Sequence, residues 1–207
     1  MLSAQYILVG FVLSAIGSVP IGLITLTIME RTVHHGSWSG VAVAMGATVA
    51  EFVYTFIALK FLTYFMAEVQ VDQGIRLASF IIFITLGLFF FLRSLKPRKK
   101  RLLPQVDGQH WDFFRGVVIG FMNMLIIPYW IVIGTMLESK MMSFSYNYLI
   151  LFFSTGAALG AFAVFLCYIK LVKLVMARME KAIIYTDRIV GTLFFTLSLI
   201  QLYNLMS

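Results

Sequence analysis

Gly46-Ala47-Thr48-Val49-Ala50-Glu51-Phe52-Val53-Tyr54-Thr55 sets a carboxylate in the middle of an apolar run from about Gly40 to Leu62. The run is long enough to cross a bilayer, whose hydrocarbon takes about 20 helical residues. Inserting a carboxylate at the centre of such a run costs roughly 2.5 kcal/mol or more, so an acid retained there is a functional candidate by default. Glu51 is the only acidic residue that the apolar pattern places deep in the hydrocarbon. The rest of the chain reads as the scaffold that holds it between two water-filled vestibules.

Composition agrees. The 207 residues are 61% hydrophobic and 12% charged, with a mean hydropathy of +0.94, against roughly 45–50% apolar and 25% charged in a soluble domain. Six apolar runs stand out, at about 4–29, 40–62, 75–93, 114–137, 145–169 and 189–206. The connections are Glu30–Ser39, Thr63–Gly74, Ser94–Phe113, Glu138–Phe144 and Lys170–Arg188. The first run outlasts a signal-peptide core and no small-x-small cleavage site follows, so it is expected to stay as the first helix. A single cysteine, Cys167, excludes a disulfide framework and a CxxC redox pair. Three histidines, none deep in an apolar run, argue against an intramembrane metal site, and no cofactor is expected.

The formal charge of +7 reads as topology rather than nucleic-acid binding. The connections after the first, third and fifth runs, with their flanks, hold 13 of the 16 Lys and Arg, and those after the second and fourth hold 3. That bias puts the first set in the cytoplasm and both termini outside. The Lys96-Pro97-Arg98-Lys99-Lys100-Arg101 cluster is first a topology determinant, and second a candidate contact for anionic membrane lipids.

The two halves match. Pro20, Thr27 and Glu30 align with Pro128, Thr135 and Glu138 at an offset of 108. Gly46 and Ala50 align with Gly156 and Gly160 at 110, and Phe83, Thr85, Leu86 and Leu88 with Phe194, Thr196, Leu197 and Leu199 at 111. An odd number of helices per half inverts the second half, the arrangement of many secondary transporters. The sequence therefore predicts an all-α integral membrane protein with a single membrane domain over 1–207. Its six transmembrane helices form two inverted three-helix repeats, about 1–93 and 114–207, around a cytoplasmic basic loop at about 94–113.

Pro20 and Pro128 lie inside apolar runs, where proline removes a backbone donor and kinks or breaks the helix. Gly17, Ser18 and Gly22 surround the first, and Gly120, Asn123 and Gly134 the second. A broken helix at membrane depth is tolerated where it lines protein or a cavity. Ala47, Glu51, Thr55 and Ala58 recur on one helix face, with Thr48 and Tyr54 beside it. Within such a cavity Glu51 can pair with a substrate ammonium or carry a proton. Gly46 and Ala50, like the GxxxG of Gly156 and Gly160, read as surfaces for close helix approach. The counterpart of Glu51 in the second half is Ala161. Glu30 and Glu138, at opposite ends, are candidate gates that would pair with Arg31 or Lys140, or else plain interfacial charges. Trp38, Trp111 and Trp130 read as interfacial or packing residues.

Val19-Pro20-Ile21-Gly22, then His35-Gly36, then the small-residue helix from Gly46 to Glu51 resemble the LysE/RhtB family of amino-acid exporters. Phe114-Arg115-Gly116, Gly120-Phe121-Met122-Asn123 and Pro128 resemble that family's second motif. One proline stands in the first motif, Asn123 is one place out of register, Ile127 precedes Pro128 where the family has Asn, and Tyr129 stands where Lys is frequent. These departures leave the substrate class open. The resemblance implies a carrier driven by the proton gradient in a bacterial cytoplasmic (inner) membrane, and places Pro20, Gly22, Glu51, Asn123 and Pro128 at its site; the residue pattern itself adds Gly17, Thr48, Tyr54 and Thr55 to the expected substrate lining, with Glu51 as the group that couples to protons. Its partners would be a small-molecule substrate such as an amino acid, protons and membrane lipids; a homo-oligomer stays open.

An enzyme is disfavoured: the apolar runs hold no His and no pair of Asp, and one cysteine cannot run dithiol chemistry. An uncoupled channel should show rings of like side chains. A metal-cation exporter on the same scaffold would need more buried His, Asp or Cys than Glu51 alone.

Overall fold

The computed structural model describes residues 2–68, 111–123, 126–140 and 142–172 continuously, with scattered residues between 77 and 92 and between 174 and 203. Among the described residues six helices follow in order: α1 (Leu2–Ser18), α2 (Leu23–His35), α3 (Ser37–Glu68), α4 (Asp112–Phe121), α5 (Ile126–Lys140) and α6 (Asn147–Lys170). The third and sixth runs fall mainly outside the described residues; those described there are helical.

The runs map onto these helices with a difference at the prolines. α3 and α6 are each long and apolar enough to cross a membrane. The first and fourth runs are broken: α1 and α2 bend by 78°, and α4 and α5 by 62°. Counting each bent pair as one span gives four among the described residues, and the chain is a multi-pass membrane protein. Pro20 lies in the first break, Val19–Gly22, as its missing donor requires. Pro128 does not break its own helix. It is the third residue of α5, in the first turn, where the backbone amides lack partners anyway. The second break precedes it, where the Asn123 amide donates to Gly120 O and the Ile126 amide to Asn123 O.

Three connections begin later than the apolar pattern expects. α2 continues to His35, α3 to Glu68 and α5 to Lys140. Hydropathy marks what lies in hydrocarbon, whereas a helix runs on into the interface for as long as its backbone bonds continue. The connection expected at Glu30–Ser39 shrinks to Gly36, which has φ 89° and donates to Thr32 O. Only glycine adopts that backbone at little cost.

Residues 1–67 and 104–177 form one compact unit, which holds these helices, α3 as far as Ala67; residues 68–103 and 178–207 form another. Within the first, two crossings dominate. On α1, Tyr6, Gly10 and Ser14 are buried at four-residue spacing, and this stripe lies on α6. A Cβ on Gly10 would strike Phe153 O, one on Gly156 would strike Ile7 O, and one on Gly160 would strike Phe11 O. On α4, Asp112, Gly116 and Gly120 form the equivalent stripe on α3. A Cβ on Gly116 would strike Val43 O, and one on Gly46 would strike Phe113 O. The two crossings correspond residue for residue, Gly10 with Gly116 and Val43 with Phe153.

Each crossing ends in an apolar cluster. One gathers Tyr6, Leu59, Trp130, Phe144, Ile150 and Phe153. The other gathers Ile28, Val43, Ala47, Ala161, Phe165 and Ile169. Along α3 the second cluster takes Val43 to Ala47 and the first takes Ala58 to Leu62, so Glu51 falls between them.

Candidate functional site

Glu51 lies midway along the membrane-length part of α3, Ser37–Tyr64, about 20 Å from either end. It is half-buried. Ser14 Oγ of α1 and Trp130 Nε1 of α5 each donate to Glu51 Oε1 at 3.1 Å. Ser14 and Trp130 are almost wholly buried, at 1% and 0% exposure. The carboxyl is thus gripped by one half-helix from each broken pair. An indole N–H can only donate, so Oε1 is an acceptor whatever the charge on the group. Oε2 makes no hydrogen bond among the described residues. It is the oxygen left to carry a proton or to receive an ammonium.

The grip is built in layers. Trp130 is held edge-on by Phe153, with ring centroids 5.3 Å apart, and by Tyr129 at 5.0 Å. Phe153 in turn packs on Phe144, and Phe144 on Tyr6. Tyr129 donates to Leu13 O at 2.8 Å, one residue before Ser14. Its ring fills the space beside Gly17, where a Cβ would come within 3.0 Å. Gly17 therefore serves the site indirectly, by admitting Tyr129. Other tyrosines hold the breaks: Tyr54 of α3 donates to Phe121 O, and Tyr168 of α6 donates to Val19 O. Each satisfies a carbonyl where a helix stops, so irregular backbone is tolerated at that depth.

Several expected site residues are not brought to the carboxylate. Thr55 is fully buried, but its hydroxyl bonds Glu51 O of the backbone at 2.7 Å. Thr48 bonds Met45 O in its own helix. Gly22 precedes α2 with ordinary extended backbone and open space where a Cβ would stand. Asn123 and Pro128 belong to the second break and its exit rather than to the grip on Glu51. The expected pairing of Glu30 with Arg31 is replaced by another: Arg31 Nε lies 2.8 Å from Asp112 Oδ1. Glu138 accepts from the Phe144 amide at 2.8 Å and from Ser143 Oγ at 3.4 Å, tying α5 to the start of α6. Among the described residues no group of three or more His, Cys, Asp or Glu comes together.

Sequence reasoning passed over Ser14, and took Trp130 for an interfacial or packing residue. It packs, and it also donates to the central carboxylate. A signal was available: Trp130 stands well inside its apolar run, and a buried indole N–H seeks an acceptor. Ser14 carried no comparable mark.

No curated protein and no solved structure matches the chain. The family model of the LysE type translocator matches residues 15–204, nearly the whole chain from the last turn of α1 onward, and the chain belongs to that family.

Proposed function

We propose that the protein exports amino acids or related small amphiphilic metabolites across a bacterial inner membrane, in exchange for protons, by alternating access around Glu51. The family supports transport of a small molecule rather than catalysis. The observation that carries the reading is the grip on Glu51 Oε1 by Ser14 and Trp130, donors from both broken helix pairs. A rearrangement of either pair alters the surroundings of this carboxylate, which is what coupling requires.

In the cycle, Glu51 faces the cytoplasm ionised and Oε2 takes the substrate ammonium. Facing outward, a proton replaces the ammonium on Oε2, and the neutral acid returns inward. For a zwitterionic substrate each turn moves net positive charge inward, so an interior-negative potential drives export. The matched crossings of α1 on α6 and α4 on α3 support an inverted repeat, with both termini outside by the charge bias. The breaks between α1 and α2 and between α4 and α5 are then the hinges.

The test uses vesicles loaded with labelled amino acids and given a proton gradient. Wild type is expected to release them faster with the gradient than without, and Glu51→Gln to lose the gradient-driven part. Undiminished gradient-driven efflux from Glu51→Gln overturns the reading.

A further inference from the structure

At the start of α4, Asp112 is wholly buried between two guanidinium groups. Its Oδ1 lies 2.8 Å from Arg31 Nε and 2.7 Å from Arg115 Nη1, and its Oδ2 accepts from Ser39 Oγ. Two guanidinium groups face one carboxylate. Arg31 is itself 5% exposed. Its Nε, although close to Oδ1, does not point its N–H at it, and neither Nε nor Nη2 makes a hydrogen bond among the described residues. These two nitrogens form the edge of a guanidinium that takes a carboxylate in a two-pronged grip. A buried charged donor without an acceptor is costly. Arg31 thus offers an unused carboxylate-binding edge beside a carboxylate that uses it poorly.

We infer that Arg31, beside Asp112 and Arg115, is a second binding subsite that takes the carboxylate of a small-molecule substrate before it reaches Glu51. Ser39 and Glu51 are separated by about 18 Å along α3, too far for one amino acid to bridge, so this is a separate station. The inference rests on the export reading for its substrate and for its place at the cytoplasmic mouth. An arriving carboxylate takes the Nε–Nη2 edge of Arg31, and Asp112 keeps Arg115 and Ser39. Arg31 then has a two-pronged partner, and α2 loses its ion pair to α4. Burial of the cluster favours a small carboxylate over a lipid phosphate, which carries bulk with it.

The test compares anions on the purified full-length protein in detergent, read as the shift in melting temperature. Acetate is the bare carboxylate probe, with chloride at equal ionic strength as reference and inorganic phosphate and anionic-lipid micelles as the other arms. Acetate is expected to raise the melting temperature of wild type above the chloride reference. Arg31→Lys keeps the charge and loses the fork, and should abolish that difference. Asp112→Asn removes the resident competitor, and should make the acetate response larger than in wild type. Opposite signs from the two variants are not a product of general misfolding. In transport, Arg31→Lys should weaken the apparent affinity for leucine by about tenfold while leaving leucinamide, which lacks the carboxylate, unchanged. An acetate response that survives Arg31→Lys, or a larger response to phosphate or anionic lipid, overturns the subsite. Failure of wild type to move any amino acid, with the acetate responses intact, overturns the export reading and leaves the subsite standing.

Discussion

The stripe Tyr6-Gly10-Ser14 on α1 and the stripe Asp112-Gly116-Gly120 on α4 make the same crossing with different chemistry at their ends. In the middle, both use a glycine pressed against a partner's carbonyl: Gly10 on Phe153 O, and Gly116 on Val43 O. At one end, Tyr6 makes a neutral bond to Ser143 O at 2.6 Å under an aromatic cluster. Asp112, its equivalent, is clamped by two arginines. At the other end, Ser14 donates to Glu51, whereas Gly120 closes on Ala47 and Ala50. Backbone packing is shared by the two halves; polar chemistry is not. Close packing at both crossings needs only small residues in register, and the two stripes differ in the polar groups at their ends.

The largest difference expected between the two stripes lies at the ends that Tyr6 and Asp112 occupy. Removing the charge of Asp112 takes from the buried Arg31 the carboxylate that faces it, and should destabilise the fold by about 3–5 kcal/mol. Tyr6→Phe keeps the ring against Phe144 and loses one neutral hydrogen bond, a cost of about 1 kcal/mol. Unfolding in detergent at graded denaturant reads both. Equal costs at the two ends dissolve the contrast between a charged and an aromatic closure.

At the centre of each stripe the halves should agree. Gly10→Ala and Gly116→Ala each push a methyl into a backbone carbonyl, which cannot rotate away. Each should cost about 1–3 kcal/mol, with transport lost in step with folded protein. A large cost in one half with none in the other means that only one crossing holds in the membrane. Chromatographic yield and melting temperature measure this.

The contrast between Ser14 and Gly120 is smaller and lies in function. Ser14→Ala removes one donor to Glu51 with little change in volume, and Trp130→Phe removes the other while keeping an aromatic ring beside Phe153. Each lost bond to a charged acceptor should lower gradient-driven flux by about tenfold. Gly120→Ser, on the other stripe, should disturb packing against Ala50 without touching Glu51.

How much of this was written in the sequence follows the same division. Apolar runs exposed α3 and α6, and Glu51 stood out because a charge in hydrocarbon has no cheap explanation. Pro20 and Pro128 located both breaks, although only Pro20 sits in one; a proline in the first helical turn and one inside a break look alike in a one-dimensional pattern. The GxxxG of Gly156 and Gly160 correctly gave close approach to a neighbour, but not which neighbour. Arg31 and Asp112 were invisible as a pair because their meeting depends on α4 lying across α2 and α3. A count of cytoplasmic charges treats Arg31 as solvated when it is buried. Hydroxyls near Glu51 misled for a related reason: a helical threonine at Thr48 or Thr55 finds its acceptor one turn back, in its own backbone.

The smallest effect is expected at Gly22, and there it is the most diagnostic. The family resemblance makes Gly22 a site residue, yet its φ of −110° suits any amino acid, and a Cβ would meet open space. Gly22→Ala should change stability by less than about 0.5 kcal/mol, since the slightly poorer helix cap is offset by a less flexible unfolded chain. Gly17, five residues earlier, already lies against the Tyr129 ring in this conformation and should not tolerate alanine so well. If Gly22→Ala melts like wild type and transports like wild type, the break needs only Pro20. If it melts like wild type and fails to transport, the glycine is required in the other access state. Open space at Gly22 is then the room into which the hinge between α1 and α2 closes.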